Sequence, residues 1–131
     1  MKFLLFTVIL TVTSVAAVDA APKNKAVVVK VGQEKVVPGT GIKVKFIEVL
    51  EDARCPADVT CVWAGNAKIK IQLTKAGKLD TVELNTALDP KEVKFAGYSF
   101  KIAQLLPYPR SNVRINRLGY VARLQARPAT R

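Results

Sequence analysis

The sequence predicts an all-β protein, a single-domain antiparallel β-sandwich or barrel of about eight short strands with one local disulfide. Three observations predict it. Apolar and polar residues alternate with a period of two in successive runs, as in Ile42-Lys43-Val44-Lys45-Phe46 and Ala67-Lys68-Ile69-Lys70-Ile71. Gly- and Pro-marked turns separate the runs at short intervals, and no stretch keeps a helical period for three turns. The only two cysteines, Cys55 and Cys61, sit close together rather than across the chain.

The elements follow in order. Ala26 to Val31 is a β-branched run, and a second short run ends at Val37. Pro38-Gly39-Thr40-Gly41 is a turn. Ile42, Val44 and Phe46 share one face of a half-buried strand; Ile47 breaks the alternation and Val49 restores a face, which predicts a bulge. After the cysteine loop, Ala67, Ile69, Ile71 and Leu73 alternate with Lys68, Lys70 and Gln72. Lys75-Ala76-Gly77-Lys78 turns into a strand through Thr81 to Leu84. Val93 and Phe95, then Ala96-Gly97, then Tyr98, Phe100 and Ile102 read as a hairpin that Pro107 and Pro109 stop. Val113 and Ile115 suggest a short segment, and Tyr120 to Gln125 a last strand with Tyr120, Ala122 and Leu124 on one face. The lysines Lys43, Lys45, Lys68 and Lys70 are the solvated side of such strands and discourage edge-to-edge pairing.

Residues 1–20 read as a cleavable export signal. Lys2 supplies a positive start, Phe3 to Val18 is apolar apart from Thr7, Thr11, Thr13 and Ser14, and Val18-Asp19-Ala20 offers the small residues of a cleavage site. Cleavage is placed after Ala20, with Ala17 the second choice, leaving residues 21–131 as one all-β domain. The apolar run falls short of the ~20 residues a bilayer span needs, and no later segment reaches that length. Export to the periplasm or the medium follows, and it favours a Cys55–Cys61 disulfide. The short ring removes little unfolded-state entropy, so its task is to hold a loop shape. With no histidine in the chain, two thiolates cannot complete a zinc site without acidic help, and the spacing is not that of a C-x-x-C redox pair.

Charge is the second signal. The chain carries 21 Lys+Arg against 10 Asp+Glu, a net +11, and a field of that sign speeds encounter with polyanions. The excess is uneven: Gly97 to Arg131 contains no acidic residue, and every arginine except Arg54 lies there.

Arg54 to Ala67 reads R-C-P-A-D-V-T-C-V-W-A-G-N-A. Trp63 stands two residues past Cys61, and in extended chain it shares a face with that sulfur. We expect it to pack over the disulfide in the core; the alternative is an exposed stacking platform for a sugar or base. Gly65 suggests a bulge or a close approach of another backbone. The pattern R-C-P-x4-C-x-W-A-G-x-A resembles the signature of a group of small exported bacterial proteins of unknown function, often lipid-anchored. The resemblance extends to Gly97-Tyr98-Ser99-Phe100, Leu106-Pro107-Tyr108-Pro109 and Tyr120-Val121-Ala122-Arg123-Leu124, and so covers most of residues 42–125. It implies an all-β fold with the motif cysteines bridged, and it carries no catalytic residues. This chain lacks the lipid-attachment cysteine near its start.

Without histidine, Ser-His and Cys-His nucleophile pairs and most transition-metal catalysis are excluded. Phosphate loops and dinucleotide fingerprints are missing, so no cofactor and no metal is expected. Glu51, Asp52 and Asp58 could cluster for acid-only chemistry, but Arg54 is placed to neutralise them. The sequence therefore points away from an enzyme and toward a binding module. The first reading is an anionic cell-envelope polymer held by Arg110, Arg114, Arg117, Arg123 and Arg127, with Tyr108 and Tyr120 nearby; arginine chelates such anions bidentately. Nucleic acid satisfies the same physics, but export makes it a poor physiological partner. The alternative is an interaction or hydrolase-inhibitor module for another exported protein, presenting the rigid Arg54–Cys61 loop with Arg54, Asp58 and Trp63.

Overall fold

The computed structural model describes residues 24–129, and the signal segment expected at 1–20 lies outside them. Eight strands form in the expected order: β1 Lys25–Lys30, β2 Glu34–Val36, β3 Lys43–Asp52, β4 Ala67–Lys75, β5 Lys78–Asn85, β6 Glu92–Phe95, β7 Tyr98–Leu106 and β8 Val121–Pro128. They make two four-stranded antiparallel sheets, β1-β8-β7-β6 and β2-β3-β4-β5. The period-two faces meet between them. Val27, Val29, Phe100, Ala122 and Leu124 come from the first sheet; Val44, Phe46, Ile69, Ile71 and Leu73 come from the second. Fully burying a side chain of this kind stabilises by about 1.5–3 kcal/mol, so the interdigitated layer is what holds the sheets together.

The chain passes from one sheet to the other between β1 and β2. There Val31 N–H donates to the Tyr120 carbonyl of the first sheet (3.2 Å), and Gly32 N–H donates to the Phe46 carbonyl of the second (2.7 Å). The break at Ile47 is a register shift between Phe46 and Glu48, followed by another between Val49 and Glu51. The 38–41 turn closes on itself: Thr40 donates its hydroxyl to the Val37 carbonyl (2.9 Å) and accepts from Ile42 N–H (3.0 Å).

One expected segment is not a strand. Val113 makes a single isolated bridge with Arg110, and the chain then enters a 3-10 turn at Arg117–Gly119. Two nearby prolines remove ladder donors, and Asn116 caps the turn by accepting from Leu118 N–H at 3.0 Å. A β-branched pair alone does not make a strand without a neighbour to pair with.

Candidate functional site

Directly opposed residues in an antiparallel ladder share a face, so the register shows where each charge goes. On the outer face of β2-β3-β4-β5, Glu34 lies opposite Lys45, Glu48 and Glu83 flank Lys70, and Glu51 lies opposite Lys68. Lys70 and Glu48 approach to 3.9 Å. Lys45, Lys68 and Lys70 thus stand opposite glutamates, whereas Lys43 faces Val36 and Thr74, and Lys75 faces Lys78.

The outer face of β1-β8-β7-β6 is different. Lys30 of β1, Arg123 and Arg127 of β8, Lys101 of β7 and Lys94 of β6 all point outward. The one acid in these strands is Glu92, which accepts from Ser99 Oγ and from Arg127 at 3.1 Å. Those two hydrogen bonds, the Ser99 one foremost, hold its carboxyl below the usual range. A cleft of about 380 Å³ lies on this face over β8, lined by Arg123, Gln125, Gln104 and Tyr108. Gln104 Nε2 donates to Tyr108 Oη at 2.6 Å, which holds the half-exposed ring at the rim.

The structure brings Arg123 and Tyr108 to one cleft, with Arg127 on the same face, and none of the other expected residues lines that cleft. Arg110 and Arg114 lie in the 107–116 loop, and Arg117 opens the 3-10 turn. Tyr120 is no contact residue. Only 6% exposed, it donates its hydroxyl to Asp52 Oδ2 at 2.8 Å. Lys30 and Lys94 were not expected here, because only the cross-strand register shows which lysines stand opposite no acid.

The cysteine loop overturns two expectations. Arg54 is not presented to solvent. Its side chain is 11% exposed and chelates Asp52 through Nε (2.7 Å) and Nη2 (2.8 Å). It also donates to the carbonyls of Leu105 (2.6 Å) and Pro107 (3.0 Å). This side chain clasps the end of β3 to the end of β7. Trp63 does not pack in the core: it is 82% exposed, beside Val62 at 93%. The Cys55–Cys61 bridge closes a ring at the edge of the sandwich, with Cys61 itself exposed, so the chain leaving Cys61 leads outward.

The loop is nonetheless braced. Ala57 N–H donates to the Pro109 carbonyl (2.7 Å), and Asp58 accepts from the backbone and hydroxyl of Ser111, which lower its pKa. Gly65 makes the close approach its position suggested. Its φ is +74°, and a Cβ there would collide with the Ala53 carbonyl oxygen and stand 2.7 Å from Arg54 Cα. Behind it, buried Asn66 donates to Asn85 (2.9 Å) and accepts from the backbone of Ala87 and Leu88. That fixes exposed Leu88 beside a shallow hollow it shares with Trp63.

Asp52 and Asp58 are held by different partners, and among the described residues no three His, Cys, Asp or Glu side chains converge as metal ligands. No family model matches the chain, and no curated protein or solved structure matches it either.

Proposed function

We propose that this is an exported, non-catalytic binding module whose outer β1-β8-β7-β6 face takes an anionic polymer of the cell envelope. One observation carries the reading: the strands of the opposite sheet carry six acids, three of its lysines standing opposite glutamates, whereas Lys30, Lys94, Lys101, Arg123 and Arg127 share a single, already engaged acid. A segregated cationic face attracts a polyanion more strongly than the same charge spread evenly. Arg110, Arg114 and Arg117 add to the field from the segment between β7 and β8 without lining the cleft. Retention of the oxidised protein on envelope polymers across a salt series, beside a folded control of equal net charge, tests the proposal. Selective retention that falls steeply with salt is expected. Retention equal to the control on every anion overturns it.

A second reading, docking on another exported protein such as a hydrolase, draws support from the exposure of Val62 and Trp63 on a braced loop. Preorganisation of this kind lowers the ordering cost of binding. The contact residues are then Val62 and Trp63, not Arg54. Inhibition of peptidoglycan hydrolases that persists at high salt and disappears in Trp63→Ala supports this reading; salt-sensitive inhibition indifferent to Trp63 counts against it.

A further inference from the structure

The cleft over β8 has a lining that net charge alone does not account for. Arg123 lies opposite Val28 of β1 and Gln104 of β7, and among the described residues no carboxylate stands within ion-pairing distance of it. Gln125 follows one outward position along the strand, opposite Ala26. On the β7 side the register shift between Ile102 and Gln104 puts the small side chain of Ala103 beside the cleft, which leaves room above β8. The Tyr108 ring closes that side, 55% exposed and tethered through its hydroxyl to Gln104. The cleft, about 380 Å³, falls within the ~300–1,000 Å³ typical of small-ligand sites.

We infer that this cleft takes an acidic sugar unit, a uronate or other carboxylated saccharide, as the unit the polymer presents. The inference rests on the proposed polyanion reading and narrows it. Lys25 also lines the cleft, but its Nζ lies against Gly39, outside that lining. The cation offered is therefore the Arg123 guanidinium, which matches a singly charged carboxylate bidentately. The amides of Gln104 and Gln125 offer donors and acceptors to ring hydroxyls, and Tyr108 offers an apolar face to sugar C–H groups. A phosphate polymer calls for a different lining, with several cations or a cradle of backbone N–H groups.

The test is calorimetric titration of the oxidised protein with tetragalacturonate, neutral maltotetraose and tetrapolyphosphate, for the wild type and for Arg123→Gln, Tyr108→Ala and Lys43→Gln. Each variant is first shown to keep the wild-type urea midpoint. The expected result is tetragalacturonate binding at least about tenfold tighter than either alternative, weakened about tenfold or more by Arg123→Gln and by Tyr108→Ala. Lys43→Gln, on the opposite sheet, leaves it unchanged. Selective uronate binding that ignores both cleft variants overturns the cleft assignment. Tetrapolyphosphate binding as tight as that of the uronate, and indifferent to Tyr108→Ala, overturns the saccharide inference while leaving the cationic face standing. Binding of neither anion beyond an equally charged folded control removes both proposals together.

Discussion

Asp52 sits between Arg54 and Tyr120 at the rim of the sandwich, and the three side chains act as one unit. Burial acts to raise the carboxyl's pKa, but the hydrogen bonds from Arg54 and Tyr120 and the guanidinium charge outweigh it and hold Asp52 below the usual carboxylate range. A depressed folded pKa gives stability that is complete above about 4 and is lost as pH falls through the folded value. Tyr120 behaves oppositely. Burial first, then the hydrogen bond and charge of Asp52, push its pKa up to about 12. Its contribution is therefore complete below about 10 and is lost as pH rises toward the folded value. Urea midpoints measured from pH 2 to 12 should fall at both ends, and Tyr120→Phe should flatten the alkaline decline. Arg54→Ala removes the ion-pair partner of Asp52 and the guanidinium donors to the Leu105 and Pro107 carbonyls, and should lower urea-derived stability by about 2–4 kcal/mol. Trp63→Ala should change it by no more than about 0.5 kcal/mol. The same exposure predicts a water-like emission maximum for this single tryptophan, readily quenched by iodide. The pairing of Arg54 with the neighbouring acid Asp52 was legible in the sequence, but its hold on β7 and the outward turn of Trp63 were not. Arg54 is tied to carbonyls some fifty residues away, and Trp63 points outward because the loop is not the extended strand that its spacing from Cys61 suggested.

Among the elements, the strands were legible because burying one sheet face imposes a period of two on the residues themselves. The core of β4 is the run Ala67, Ile69, Ile71, Leu73, and the break at Ile47 marks a real register shift. The segment 107–120 was not legible in the same way. Its course depends on Pro109 and Ser111 meeting the cysteine loop, and alternation does not encode an encounter between two loops. The braces predict how the loop responds to change. Cys55→Ser with Cys61→Ser should cost no more than about 2 kcal/mol and leave the circular dichroism spectrum intact, because Arg54, Ala57 and Asp58 still hold the loop. Gly65→Ala should be the worse lesion, at about 2–4 kcal/mol, since it combines a positive φ with a backbone collision that no rotamer relieves.

At the scale of the whole molecule, the two sheets share one core but carry different outer faces. Composition shows an excess of positive charge; only pairing across strands shows that the second sheet sets glutamates opposite Lys45, Lys68 and Lys70, while the first has Glu92 alone. If the cationic face is the binding surface, joint replacement of Lys101, Arg123 and Arg127 by Gln should weaken polyanion retention. It should also reduce the salt dependence, by about one unit of slope for each phosphate or carboxylate that is no longer neutralised. Joint replacement of Lys43 and Lys45 by Gln should do neither, although it removes surface charge too.

The pairing of β1 with β8 carries a consequence in time. Lys25 faces Ala126 and Lys30 faces Val121, so the first strand to be made finds its hydrogen-bonding neighbour only in the last. A chain emerging N-terminus first has Val27 and Val29 in hand long before it has Ala122 and Leu124 to set beside them, and closure over such a separation is slow. Until the eighth strand is delivered, the nascent polypeptide cannot complete its first sheet. The second sheet, built from the consecutive strands β2 to β5, carries no such wait.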